Sequence, residues 1–341
     1  MRAVVTGASG LIGSHLCDRL IKEGYQVVAI LRPTSSTQYL KQDKQLKVIR
    51  CANEDLKSII SEIKRVDLFF HNAGFFQISS PFTADEDFQK YQSINVDQTK
   101  IAVNVAIEAA VRRFVFTSSV AVYSNTESSP ISESAKLEPP SAYGRSKVMA
   151  EEIVREANDR GLDTTIIRPS LVYGPRDRHY GKTMETLGRL PIVPLVGGGN
   201  NLIDFAYVAD VIEVMWLASQ QDIAINQVYN ACSGNPVSVL RLLQSISNAS
   251  ERRMPMVLAV PERILRTVSP LMRLYLSVFA PGLSSLMSSD GITYMGGDIY
   301  YSMDLVKNDL HFSPKFSVEE GMMESFSITN NINNKLSSIF R

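Results

Sequence analysis

Cysteine is scarce in this chain: three residues in 341, Cys17, Cys51 and Cys232, far apart and never in a C-x-x-C pair. An odd, scattered set excludes a disulfide framework and a structural zinc site, and it predicts a reducing compartment. An excess of one charge is missing as well. Lys+Arg and Asp+Glu each number 35, so the formal net charge is zero. A dedicated nucleic-acid or polyanion binder would need a basic surplus, so no nucleic-acid partner is expected. No run of about 18 apolar residues occurs, so no membrane span is expected. Apolar residues nevertheless make up 45% of the chain, which excludes intrinsic disorder. The length suits one large α/β domain or two smaller ones, with enough apolar surface for a core. Composition predicts a soluble, cytoplasmic globular protein and leaves its chemistry open.

Chemistry enters within the first fourteen residues. Arg2-Ala3-Val4-Val5-Thr6 reads as a buried strand and runs straight into Gly7-Ala8-Ser9-Gly10-Leu11-Ile12-Gly13. A strand this early predicts no secretory or transit peptide. Leu11, Ile12, His15, Leu16, Leu20 and Ile21 recur at helical spacing up to Gly24, and Tyr25 to Leu31 (YQVVAIL) reads as a second buried strand. Strand, glycine turn, helix and strand make one βαβ unit. A pyrophosphate can rest on a helix N-terminus only where backbone N–H groups approach it without Cβ atoms in the way, and the last glycine lets helix and strand pack closely. The segment predicts dinucleotide binding, against the blander alternative of a tight turn with incidental glycines. In NAD-specific sites an acid about 20 residues further on receives the ribose 2′-OH. Here the second strand ends Leu31-Arg32-Pro33-Thr34-Ser35-Ser36 without one. Arg32 suits a 2′-phosphate, with Ser35 or Ser36 as further donors, and predicts NADP in preference to NAD. A plain surface arginine at a strand end is the alternative.

Further along, Val66 to His71 (VDLFFH) reads as a strand followed by Asn72-Ala73-Gly74, and Ile94 to Ala110 as a long amphipathic helix. Arg113 to Thr117 (RFVFT) is another buried strand, and it delivers Ser118-Ser119-Val120-Ala121-Val122-Tyr123. After a loop rich in Pro, Ser and Glu, Pro139-Pro140-Ser141 precedes Ala142-Tyr143-Gly144-Arg145-Ser146-Lys147. That run opens a helix ending near Gly161, with Ser141 as its N-cap. Tyr143 and Lys147 are four apart, so on a helix they share a face and can touch one ligand. A phenol with a reference pKa of about 10 is a poor acid–base catalyst at neutral pH, and a neighbouring ammonium favours the phenolate. A serine at a strand's carboxyl end could hold a substrate oxygen against the tyrosine. The alternative is a half-buried packing tyrosine and a solvated lysine. The glycine fingerprint and the Ser-Ser strand end weigh against it.

Together, Gly7-x-x-Gly10-x-x-Gly13, Thr117-Ser118-Ser119, Tyr143-x-x-x-Lys147 and Arg168-Pro169-Ser170-Leu171-Val172-Tyr173-Gly174-Pro175 resemble the extended short-chain dehydrogenases/reductases of the NAD-dependent epimerase/dehydratase superfamily. The resemblance runs to Phe326. It implies an α/β fold, a doubly wound parallel (Rossmann) sheet with a smaller C-terminal substrate-binding domain. The dinucleotide-binding part would be residues 1–170 and 205–235, the substrate side 171–204 and 236–326, and the polar tail 327–341. It implies Tyr143 as the general acid/base and Lys147 as the residue that lowers its pKa and binds the nicotinamide ribose. Ser119 would polarise the carbonyl or alcohol, because the family's hydroxyl residue usually lies four before the strand-end tyrosine, here Tyr123; Ser118 is the fallback. The implied cofactor contacts are Gly7, Ser9, Gly10, Leu11, Ile12, Gly13, Arg32, Ser35, Asn53, Asn72, Ala73, Gly74, Thr117, Tyr143, Lys147, Pro169, Ser170 and Val172, with no metal. The aspartate that meets the adenine amine in this family is missing from Arg50-Cys51-Ala52-Asn53, where Asn53 or Asp55 would substitute. A homodimer through the helices at 94–110 and 142–160 is implied as well.

Local features choose among branches. Family dehydratases carry Asp-Glu after the catalytic hydroxyl residue, where this chain has Val120-Ala121. Nucleotide-sugar enzymes often place an arginine before an Asp-aromatic pair. Here Ile203 precedes Asp204-Phe205 and cannot pair with a diphosphate. Gly199 to Val208, Asp298-Ile299-Tyr300-Tyr301-Ser302 and Leu310-His311-Phe312-Ser313-Pro314 resemble the branch of 3β-hydroxysteroid dehydrogenases, dihydroflavonol-reductase-like proteins and 2-alkyl-3-oxoalkanoate reductases. The expectation is an NADP-dependent enzyme interconverting a ketone and a secondary alcohol on a largely apolar small molecule. A nucleotide-sugar epimerase with tightly bound NAD is the runner-up, and a non-catalytic NADP-binding sensor or scaffold the third reading. Pro255 to Met287, rich in Leu, Met and aromatics, reads first as core or subunit interface and second as an apolar lid. Shallow bilayer contact, with Arg263, Arg266 and Arg273 beside apolar residues, comes last.

Overall fold

The computed structural model describes residues 1–59, 65–76, 84–124, 128–177, 186–279 and 296–327, with residues 183, 283, 287 and 292. The chain opens with β1 (Arg2–Thr6), α1 (Leu11–Lys22), β2 (Gln26–Leu31), β3 (Leu46–Arg50) and β4 (Leu68–His71). Next come α2 (Ala84–Tyr91), a π-helical turn (Gln92–Asp97), α3 (Gln98–Glu108), β5 (Arg113–Thr117), α4 (Ala142–Asp159) and β6 (Thr164–Pro169). Short strands follow: β7 (Leu171–Tyr173), β8 (Ile192–Val196), β9 (Leu202–Ile203) and β10 (Phe205–Tyr207). After these run α5 (Val208–Gln220), β11 (Val228–Ala231), β12 (Val237–Ser238) and α6 (Val239–Ala249). β13 (Met256–Val260), α7 (Glu262–Phe279) and α8 (Asp304–Leu310) complete the labelled elements.

Seven strands form one parallel sheet in the order β11-β6-β5-β4-β1-β2-β3. Each central strand is apolar on both sides, so side-chain alternation feeds two cores. Ala3 and Val5, Val27 and Ala29, Leu68 and Phe70, and Val115 lie in one cluster with α1 and α5. Val4, Val28 and Ile30, Phe69, and Phe114 and Phe116 lie in the other, against α3 and α4. This is a doubly wound α/β sheet, as the sequence predicts. Its strand order reverses between β1 and β4, and ligands bind at such a switch point.

The helices end where their chemistry says they should. Gly24 takes φ +82° after α1, and the N–H of Tyr25 donates to Leu20 O. The Ser141 Oγ caps α4 by accepting from Gly144 N at 3.0 Å. Gly161, at φ +83°, closes it.

Two expectations need correction. The helix expected over 94–110 starts as a π turn at Gln92–Asp97 and becomes α-helical only at Gln98. Within that turn lies Asn95, a buried amide whose side chain bonds to Phe75 and Ser146. The apolar segment from Pro255 is not simply core. Leu265 is buried, but Leu271, Leu274, Tyr275 and Val278 of the same helix are exposed. Amphipathic spacing identifies faces without saying what covers each one.

Candidate active site

The turn after β1, the start of α1 and the turn after β4 meet at the switch point. Gly7 holds φ +64°, and a Cβ there would lie 2.8 Å from the backbone of Asn72 and Ala73. A Cβ on Gly13 would lie 2.3 Å from Gly7 O. Glycine is obligatory at both places because backbone meets backbone. Gly10 is an extended N-cap without a capping side chain, and no acid sits in the first turn of α1. The start of α1, with Ser9, Leu11 and Ile12 half-buried around it, is therefore left to an anion, which the helix dipole favours.

Asn72 lines the neighbouring wall. Its Oδ1 accepts a hydrogen bond from the Thr117 hydroxyl, while its buried Nδ2 has no partner among the described atoms. A buried donor left unmade is costly unless a ligand meets it. The N–H of Ala73 donates to Thr6 Oγ1 at 3.1 Å, and that hydroxyl is hydrogen-bonded to His71 Nδ1 at 2.8 Å. Burial, helped by the charge of Lys147, pulls His71 down to about 3, so its imidazole is neutral. The glycine cradle and the unpaired Asn72 amide fit a dinucleotide.

The sequence places a tyrosine, a lysine and a serine within reach, and the fold brings them together. Ser119 follows β5, Tyr143 and Lys147 lie on the first turns of α4, and the Ser119 hydroxyl lies close enough to the Tyr143 phenol to favour its charged form. Burial pushes the phenol up to about 12, and Ser119 pulls the other way. Lys147 Nζ donates to Thr117 O at 2.8 Å and stands over the Phe116 ring. Burial lowers its pKa to about 8, against the pull of Glu151. Gly74 leaves the space beside this ammonium: a Cβ there would come within 3.4 Å of Nζ. Phe76 meets the Tyr143 ring edge-on at 5.0 Å and Tyr91 lies at 5.9 Å, so the phenol has aromatic neighbours.

Strand alternation separates the two serines. Ser118 turns inward, where its hydroxyl donates to Glu151 Oε1 at 2.6 Å. Glu151 receives both arms of Arg168, at 2.8 Å from Nε and 2.6 Å from Nη2. Arg168 also donates to the Tyr123 hydroxyl at 2.9 Å, and that hydroxyl donates to Asn230 at 2.7 Å. Ser118 belongs to this buried frame and Ser119 faces the phenol. Behind the site, Asn95 accepts from Phe75 N at 2.7 Å, and its Nδ2 donates to Phe75 O and to Ser146 Oγ. It ties the loop after β4 to α4. The sequence reading passed over Asn95 and Glu151; a polar residue on an apolar helical stripe was the available signal for Asn95.

The remaining expected contacts are more spread. Arg32 is exposed directly after β2. Arg50 at the end of β3 donates from Nη1 to the carbonyls of Arg32, Pro33 and Ser35, at 3.4, 2.8 and 2.8 Å. This clamp over the loop was also missed, because it involves only main-chain acceptors. Asn53 begins a 3₁₀ segment, and its side chain lies outside the described residues. Pro169 ends β6. The Ser170 hydroxyl is already spent on buried Asp204, at 3.2 Å, and Val172 sits in β7, paired with Ala206.

Comparison with known proteins agrees with this geometry. The UDP-glucose epimerase YtcB of Bacillus subtilis (strain 168), itself uncharacterized, is 26% identical over 336 residues, covering 94% of this chain and 96% of that protein. The 3-beta-hydroxysteroid dehydrogenase of Mycolicibacterium neoaurum is 25% identical over 338 residues, covering 95% and 90%. The crystal structure of a UDP-glucuronic acid 4-epimerase from Bacillus cereus in complex with NAD superposes with a TM-score of 0.76, at 22% identity and covering 97% and 99% of the two chains. Residues 3–232 match the model of the NAD dependent epimerase/dehydratase family. With that match spanning most of the chain and including the glycine cradle and the Tyr143–Lys147 helix, the protein belongs to the NAD dependent epimerase/dehydratase family.

Proposed function

We propose that the protein is an oxidoreductase interconverting a ketone and a secondary alcohol on a largely apolar small molecule, with NADP preferred to NAD. The observation that carries this reading is the buried Tyr143 phenol, set beside Ser119 and flanked by Phe76 and Tyr91. A bound nicotinamide supplies the hydride donor or acceptor. Gly7, Gly10, Gly13 and Asn72 would hold the dinucleotide, and Lys147 its nicotinamide ribose. In the reductive direction, Tyr143 gives its phenolic proton to the substrate oxygen while the Ser119 hydroxyl donates to that same oxygen. Burial opposes the phenolate left behind, and Lys147, one helical turn further along α4, is the cation we assign to offset it. Aromatic neighbours favour an apolar substrate over a heavily hydroxylated one.

NADP is favoured by the absence of an acid at the end of β2, by exposed Arg32 there, and by the Arg50 clamp that fixes the loop around it. Residues 171–204 and 236–326 are assigned to the substrate side.

A second reading, a nucleotide-sugar epimerase with tightly held NAD, is favoured by the relatives and structures bearing that name. Ile203 speaks against it. It is buried, paired with Val237 and bridged to Ile299, where a diphosphate would need a cation.

The test is consumption of NADPH with a panel of apolar ketones, beside UDP-glucose and UDP-glucuronic acid. Turnover should fall by about 10³-fold in Tyr143→Phe while NADP binding is retained. Conversion of a UDP-sugar without net cofactor consumption, or full turnover in Tyr143→Phe, overturns the proposal.

A further inference from the structure

Helix α7 carries two apolar faces, and only one is covered. Leu265, Met272 and Leu276 pack with Val196 and Val260. Ile264, Val268, Leu271, Leu274, Tyr275 and Val278 recur at helical spacing along the other side and stay exposed, Leu271 at 75% and Val278 at 70%. The preceding strand β13 adds exposed Met256 and Leu258. Apolar surface of this extent on a soluble face marks a docking site.

The charges around it are mostly of one sign. Residues 251–279 contain five arginines (Arg252, Arg253, Arg263, Arg266 and Arg273) and two acids, Glu251 and Glu262. Glu262 is already taken by Arg266 at 2.7 Å. A second copy of the chain docked by a two-fold axis would bring the same positive surplus against itself. An anionic surface complements that surplus of positive charge. With four charged residues in eighteen, α7 cannot cross a bilayer, and no described helix is long and apolar enough to do so.

We propose that α7 lies flat on anionic phospholipid, its exposed apolar stripe in the acyl boundary and its arginines among the headgroups. The test is sedimentation of the full chain with vesicles of mixed phosphatidylglycerol and phosphatidylcholine, beside vesicles of pure phosphatidylcholine. The protein should pellet with the anionic vesicles, less so at high salt, and weakly with the neutral ones. Because both positions are exposed, the double substitution Leu271→Glu, Val278→Glu should cut the bound fraction roughly tenfold. Its melting temperature and its stabilisation by NADP should not change. Absence of binding to anionic vesicles, or undiminished binding by the double variant, overturns the proposal. So does a lipid-free dimer, seen by light scattering, that the double variant converts to a monomer; that outcome assigns the face to a second copy.

Discussion

Lys147 is the group in this site whose charge changes within reach of ordinary buffers. Burial lowers it to about 8, so the ammonium is present below that pH and lost above it. NADP affinity should therefore be highest below about pH 8 and fall as the pH rises through it. Lys147→Met should bind weakly with a flat profile, and titration calorimetry at several pH values reads both. The same shift acts on folding with a definite sign. Keeping a buried ammonium costs stability below its folded pKa, and the cost fades as pH rises from about 8 toward the ordinary lysine value.

Glu151 behaves in the opposite way. Burial works to protonate it, but the hydrogen bonds and charge of Arg168 overcome that and hold the carboxyl below its usual range. Its contribution is complete above the ordinary carboxylate pKa and is lost as pH falls through the lowered one. Arg168→Met leaves the buried Glu151 carboxylate with only the Ser118 hydroxyl and the more exposed Arg155 as partners and should cost about 3 kcal/mol, measured by denaturant unfolding. The adjacent serines divide accordingly: Ser118→Ala should register in that stability measurement, and Ser119→Ala in turnover. The sequence alone could rank the two hydroxyls but not decide between them, because the partner of Ser118 lies 33 residues away on another element.

At the scale of elements, the glycine turn and α4 are the parts most open to local test. Gly13→Ala forces a methyl carbon against Gly7 O and should abolish stabilisation by NADP in a thermal-shift assay, with a lowered melting temperature of the free protein. Ser141→Ala removes one cap bond from α4 and should cost about 1 kcal/mol by denaturant unfolding. These two elements were legible because their signals are local: a strand, glycines and an apolar period for the first, prolines and a serine for the second. The π turn was not legible, since Asn95 is explained only by Phe75 and Ser146, which its own helix does not contain. The exposed side of α7 escaped for a related reason. A second apolar stripe reads as buried until the rest of the chain fails to cover it.

For the whole molecule, the balance of 35 against 35 charges has a measurable meaning. On the proposed reading, phosphate capture depends on backbone donors and a few placed cations, not on a basic surface. Raising ionic strength should weaken NADP binding more than NAD binding, because the share carried by Arg32 is screened. Equal salt dependence for both nucleotides, read from dissociation constants at low and high salt, would contradict the role given to Arg32. The doubly wound sheet itself was plain from its runs of apolar residues. The short ladders after β6 were not, because strands of two or three residues carry too few side chains to show a period.

The contact between Gly7 and the Asn72–Ala73 backbone has a consequence in time. The two halves of the cradle lie 65 residues apart in sequence and meet only when β1 and β4 pair at the middle of the sheet. A nascent or truncated chain holding only the first βαβ unit contains every glycine of the fingerprint and still lacks the wall that completes it. Nucleotide capture during refolding therefore clocks the closure of the sheet's centre, a late and non-local event, and not the appearance of its first helix.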